Sequence, residues 1–183
     1  PLQREASIED TPDKFIADTM AYGESCKEDV LRVFAEQSPA YYDFVTNELG
    51  LQWTGAVSLC PGCSIPRTLT CNPHEHQELI YQAAEDAGCD FYFETTGRRL
   101  VTDTDGRVVG VTAERADGSS VSFKANKGVI LATGGFTHNH DMLEECMVGL
   151  GSIPAYSCKG HTGLMHQAAM QLGCQMYGRP WIY

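Results

Sequence analysis

The chain has little positive charge and no long apolar run. Its 183 residues hold 13 Lys and Arg against 24 Asp and Glu, a formal net charge of −11. A surface this acidic repels phosphate backbones, which argues against general nucleic-acid binding. It leaves small anionic substrates open, because a local cluster of Arg and backbone N–H groups overrules net charge. No stretch approaches the ~18–20 apolar residues that span a bilayer, so no membrane span is expected. No secretory signal stands at the start. The first residue is Pro1 rather than Met, as expected of a processed, trimmed or excised product.

What is present is ordinary for a globular protein: 43% apolar and 20% charged residues, enough for one domain and a core. The cysteines are Cys26, Cys60, Cys63, Cys71, Cys89, Cys146, Cys158 and Cys174. A disulfide scaffold requires a shorter chain with fewer apolar residues. Mostly free thiols, in a reducing or anaerobic setting, are expected instead. There is no internal repeat and no low-complexity tract.

The first half reads as helices and a loop. Thr11 caps a helix to about Gly23, with Pro12 at its first position and Asp13 in its first turn. A second helix is expected from about Lys27 to Gln37. Ser38-Pro39 restarts a third, which ends at Gly50 in a left-handed cap. Residues 51–73, rich in Pro, Gly and Cys, read as a long functional or mobile loop. A helix follows from about His74 to Ala87, closed by Gly88. The period then changes. Asp90–Glu94 alternates as a strand. Arg99–Thr102, Arg107–Glu114 and Val121–Ala125 form a meander whose turns hold Asp105-Gly106 and Asp117-Gly118. Gly128–Thr133 reads as a strand buried on both faces, broken by Gly134-Gly135. Helices are expected near Asp141–Val148 and Gly163–Leu172. The organisation is thus a helical and loop section, about 1–73, and a strand-rich section, 74–173.

One segment carries a family pattern. Val129-Ile130-Leu131-Ala132-Thr133-Gly134-Gly135-Phe136, followed by Asn139 and Met142, resembles the Ala-Thr-Gly-Gly-Phe/Tyr segment of the fumarate reductase/succinate dehydrogenase type of FAD flavoproteins. That family includes 3-ketosteroid dehydrogenase-like and urocanate reductase-like members. Glycines at 134 and 135 let backbone approach a dinucleotide with no side chain in the way, at a strand end where ligands sit in open α/β sheets. Other matches keep the family's order. Asp10-Thr11-Pro12-Asp13-Lys14-Phe15 resembles the segment leading into its helices, and Ser64-Ile65-Pro66-Arg67-Thr68 one near the flavin. Gly106–Val111 resembles its second meander strand, and Thr162-Gly163 its Thr-Gly-Asp-Gly helix start.

The resemblance implies an α/β fold: a partial Rossmann-like FAD-binding domain with an inserted three-stranded antiparallel meander and flanking helices. It implies FAD as cofactor, with Ala132, Thr133, Gly134, Gly135, Asn139, Thr162, Gly163 and Arg67 near it. It also implies a small-molecule substrate, an electron donor, and hydride transfer between flavin and an activated C=C bond of an unsaturated carboxylate or enone. Departures are visible. The only Gly-x-Gly is Gly149-Leu150-Gly151, and Pro154 stands where the fingerprint needs its third Gly. Leu164 and Met165 replace the Asp and Gly of the family's helix start. Cys71–His76 replaces its Gly-rich stretch. The family's substrate-binding His-Pro-Thr segment and its acid Arg lie beyond Tyr183. A middle piece is therefore expected, lacking the fingerprint and most or all of the capping domain, inactive alone and with no catalytic residue assigned. The bacterial cytoplasm or cell envelope fits such a parent, the cytoplasm being preferred.

Other constellations are weaker. Cys60-Pro61-Gly62-Cys63 with Cys71 has the sulfur spacing of a zinc or iron–sulfur site, and a redox-active dithiol is another option, although such dithiols usually open a helix after a strand; a plain cysteine-rich loop is preferred, because a second Cys pair is lacking. The pairs His74/His76 and His138/His140 read as surface residues, and no metal site is assigned. His161, beside Thr162-Gly163, is open to phosphate, flavin or an incidental role. For Arg67 an anion contact and a surface ion pair stand level. Arg98-Arg99 reads as a solvated strand edge, and Tyr41-Tyr42 as helix packing. Two alternatives to the enzyme reading remain: a non-catalytic, self-associating structural fragment, and a Cys-ligated metal module.

Overall fold

The computed structural model describes residues 2–23 and 26–176. The chain divides into two units between Phe91 and Tyr92.

The first unit opens with a short helix α1 (Leu2–Glu5) and α2 (Pro12–Tyr22). Thr11 caps α2 as the sequence predicts, its side chain accepting from the Lys14 N–H at 3.2 Å. The next helix differs from expectation. Instead of two helices broken at Ser38-Pro39, a single α3 runs over Glu28–Asp43 and continues as a π-helical turn, Phe44–Glu48. Pro39 removes one backbone donor but its fixed φ is helical, so packing on either side carries the helix through. Phe15 of α2 stacks on Phe34 of α3 at 5.6 Å, and Arg32 bridges to Asp13 and Glu28, each at 3.0 Å. Gly50 ends the segment at φ +80°.

Residues 51–73 are a second correction. They form a hairpin, β1 (Trp53–Ser58) antiparallel to β2 (Thr68–Cys71), with a register irregularity between Thr54 and Ser58. The pairing escaped notice because cross-strand contacts, not local period, specify it. Trp53 anchors it: its ring stacks on Tyr42 at 5.4 Å and its indole N–H donates to Thr46 Oγ1 at 2.8 Å. Asn72 then caps α4 (Pro73–Asp86), and Gly88 follows at φ +83°. Among the described residues, the buried apolar side chains of this unit are Ile16, Val45 and Leu51.

The second unit contains the predicted meander: β3 (Thr95–Thr102), β4 (Val108–Arg115) and β5 (Ser120–Lys124), antiparallel in that order. Asp90–Glu94 is not a strand. Glu94 stands at φ +50°, and Thr95 Oγ1 donates to the Phe93 carbonyl at 2.8 Å, so the backbone turns where the sequence alternates. Nor is Gly128–Thr133 a strand. Among the described residues nothing offers it a ladder, and Ile130 is 92% exposed. An apolar run becomes a buried strand only where neighbours pair with it and cover it. Both sheets are antiparallel. Helices α5 (His140–Cys146) and α6 (Leu164–Gln171) fall where predicted. Helix α6 packs on β3, with Gly97 leaving room for Met165: a Cβ there would lie 3.1 Å from its Sδ. Ala113, Met142, Leu143, Met165 and Ala168 form the core.

Candidate functional site

In the second unit, two of the predicted segments meet. The chain turns at Gly134, whose φ is +71°, and the His161 ring lies directly where a Cβ would stand. The Asn139 N–H donates to the Phe136 carbonyl at 2.8 Å, and the His138 N–H to the His161 carbonyl at 2.9 Å. Thr137 and Ser157 share a short hydroxyl–hydroxyl hydrogen bond. Asn139 is the clasp. Its Oδ1 accepts from the Met142 N–H at 3.0 Å, capping α5, while its Nδ2 donates to the Thr162 carbonyl at 2.8 Å. Of the predicted residues, Gly134, Asn139, Thr162 and Gly163 are thereby brought together, and Gly135 is carried on the same turn.

These residues do different work. Gly163, at φ +71°, is buried beneath α6 against Met142 and Phe136. It supplies no side-chain cap, and Leu164 and Met165 place no acid in the helix's first turn. Met165 instead fills the space over Gly97, which accounts for one departure from the family pattern. Gly135 is open: nothing lies within 4 Å of where its Cβ would be. Ala132, Thr133 and Gly134 are exposed. The open backbone at Gly135 suits close approach of a dinucleotide, whereas the face of Gly134 is already covered by His161. The residues present thus fit FAD along one side of the turn.

We expect Asn139→Ala to lower stability by about 1 kcal/mol through the lost cap and to raise amide exchange over 162–164. Asn139→Asp keeps the cap but loses the donor to Thr162, so it should affect exchange there and spare α5. Amide exchange read by mass spectrometry separates the two; equal protection in all three proteins would contradict the clasp.

Sequence reasoning missed His166. Its Nδ1 is buried without a partner among the described residues, and its ring sits edge-on to Phe136 at 5.8 Å. No local motif marks it, since its setting comes from α6 folding back on the Phe136 turn.

Arg67 lies in the first unit. Its Nε and Nη2 donate to the two carboxylate oxygens of Asp10 at 2.7 and 3.0 Å, and its Nη1 donates to Asp18. The guanidinium carbon lies 5.7 Å over the Phe15 ring. The side chains of Arg67, Asp10 and Asp18 are 12, 15 and 17% exposed. The backbone N–H and hydroxyl of Ser64 also donate to Asp18, at 2.9 and 2.8 Å. The Ser64 N–H, with Arg67 and the Ser64 hydroxyl, draws the Asp18 pKa down to about 2. Burial works to raise the Asp10 pKa, but Arg67, Gln3 and the Thr11 N–H outweigh it and leave it lowered. Two segments that resemble the family, 10–15 and 64–68, are thus tied by one ion cluster.

All eight cysteines are free thiols. Among the described residues, no three His, Cys, Asp or Glu side chains are grouped to hold a metal ion, so the metal reading of Cys60, Cys63 and Cys71 gains no support. His74 pairs with Glu78 at 3.3 Å, and His76 Nε2 meets the Tyr41 hydroxyl at 2.6 Å. Among the described residues, no helix is long and apolar enough to cross a membrane.

Comparison with known proteins sets this geometry in context. The chain is 28% identical over 154 residues to the acrylate reductase flavoprotein subunit of Shewanella woodyi, covering 78% of this chain and 30% of that protein. It is 27% identical over 194 residues to the urocanate reductase of Eggerthella lenta, covering 99% of this chain and 31% of that protein. The chain therefore spans under a third of the length of these curated relatives. Among solved structures, the open conformation of a flavocytochrome c3 fumarate reductase superposes with a TM-score of 0.86 at 23% identity, over 93% of this chain and 31% of that one. A 3-ketosteroid dehydrogenase from Rhodococcus jostii, in complex with 4-androstene-3,17-dione, superposes with a TM-score of 0.77 at 21% identity, over 96% of this chain and 43% of that one. The fold is thus the mixed helix-and-strand one of the fumarate reductase flavoprotein. The model of the FAD binding domain family matches residues 1–182, and the chain belongs to that family.

Proposed function

We propose that this chain is the middle section of an FAD-dependent oxidoreductase that transfers hydride between flavin and an activated C=C bond. The carrying observation is the turn at Gly134-Gly135, clasped by Asn139 to Thr162-Gly163, with open backbone at Gly135. Its setting in an FAD binding domain supports the cofactor. The names of the relatives, acrylate and urocanate reductases, support an unsaturated carboxylate as substrate, and the ketosteroid dehydrogenase keeps an enone in view. When bound, FAD supplies the redox chemistry. This chain's residues position it: Gly135 admits the cofactor to the backbone, and Asn139 holds the two approaching loops in register. Ala132, Thr133 and Thr162 line the same approach. Arg67 is read as a structural cation, since three of its donors are committed to Asp10 and Asp18. The section is read as part of an FAD-binding domain, with substrate and electron donor meeting the parent protein.

A second reading concerns the chain in isolation. Ile130, Val148 and Tyr156 are 92, 89 and 99% exposed, which favours self-association. Gel filtration of this chain with added FAD tests both. Flavin absorbance co-eluting at one FAD per chain is the expected result, and loss of that absorbance in Gly135→Ala locates it. A colourless oligomer would sink the cofactor reading for the isolated piece and favour the second.

A further inference from the structure

The hairpin tip carries chemistry that flavin binding does not use. Cys60-Pro61-Gly62-Cys63 is a hydrogen-bonded β-turn, with the Cys63 N–H donating to the Cys60 carbonyl at 3.0 Å. Pro61 and Gly62, the latter at φ +83°, occupy the central positions as a type II turn requires. Such a turn brings its end residues within about 7 Å at Cα, and a disulfide needs roughly 4.4–6.8 Å. The turn is also held in place. A Cβ on Gly62 would lie 2.9 Å from the Tyr22 ring, so the tip is seated on α2. The next residue, Ser64, is fastened to Asp18 by two hydrogen bonds. Cys60 is exposed and Cys63 half-buried.

We propose that Cys60 and Cys63 are a redox-modification site, closing a reversible disulfide across the Pro61-Gly62 turn in exchange with a low-molecular-weight disulfide. The accessible Cys60 gives up its proton and attacks one sulfur of the disulfide. One small thiolate leaves, and Cys60 carries the other half as a mixed disulfide. Cys63 then gives up its proton, attacks Cys60 Sγ and expels the second small thiolate. Two protein thiols are oxidised, two small thiols are formed, and the two released protons reside on them. Cys89, Cys158 and Cys174 are also exposed, but no cysteine lies three residues away from any of them. They stop at the mixed disulfide.

The test uses the full 183-residue chain, reduced, then equilibrated with oxidised glutathione and quenched with N-ethylmaleimide. Trypsin releases residues 33–67, a peptide whose only cysteines are Cys60 and Cys63. Mass spectrometry should find it lighter by two hydrogens, without glutathione or maleimide, while Cys89, Cys158 and Cys174 carry glutathione. Dithiothreitol should restore both thiols to labelling. In Cys63→Ser, Cys60 should retain glutathione. Glutathione or maleimide on Cys60 or Cys63 of the unaltered chain overturns the proposal, and that measurement stands whether or not the variant folds.

Discussion

Gly163→Ala is expected to destabilise the second unit by about 2–5 kcal/mol, the sum of two independent penalties. Gly163 has φ +71°, where an L side chain costs roughly 1–2 kcal/mol. Its new Cβ would also stand 2.5 Å from Met142 Sδ and 2.7 Å from Phe136 Cβ. Met142 is a core residue, 1% exposed, so its side chain has little free space to move into. Overpacking of that kind costs about 1–3 kcal/mol. Urea unfolding followed by circular dichroism should show the midpoint drop. Gly135→Ala is the contrast: its Cβ meets open space, so the unfolding free energy should change by less than about 0.5 kcal/mol while FAD retention is lost. Equal stability losses in the two variants would show that Gly163 is not the packing point described.

Arg67→Ala is expected to cost about 2 kcal/mol at neutral pH. The figure is that of a charge-assisted bidentate pair with Asp10, discounted for partial exposure. Asp18, left beside it without its cation, adds in the same direction. The acid limb of the stability curve supplies the sharper test. Both carboxylates have folded pKa values below the ordinary 3.8, Asp18 at about 2. A lowered folded pKa means that the unfolded chain takes up protons first as the solution is acidified. The stabilisation is therefore present above about pH 4 and is lost as pH falls toward 2. Removing Arg67 removes part of that dependence. The gap between the unaltered chain and Arg67→Ala should be widest at neutral pH and should narrow on acidification. A gap that stays constant with pH would refute the ion cluster as its source.

The family was legible because its residues are local and ordered along the chain. Gly134-Gly135, Asn139 and Thr162-Gly163 keep their spacing even where Leu164 and Met165 depart. What each residue does was less legible. Asn139 read as a cofactor neighbour, yet its amide spans two loops separated by 23 residues. Arg67 read equally as anion contact or ion pair, and the partners of its ion pairs, Asp10 and Asp18, lie 57 and 49 residues away.

The sequence by itself determined the elements whose signals lie within a turn or two. Thr11-Pro12, Asn72-Pro73 and Asn139 start helices because a side-chain oxygen satisfies an otherwise orphaned N–H. Asp105-Gly106 and Asp117-Gly118 set the meander because glycine accepts the left-handed backbone of its turns. Tertiary structure alone decided the rest. It carried α3 through Pro39, paired Trp53–Ser58 with Thr68–Cys71, and left Gly128–Thr133 without a ladder. It also folded His166 against Phe136. Those outcomes depend on partners distant in the chain, and a local pattern of apolar and polar residues states a preference for burial or pairing without naming the partner that satisfies it.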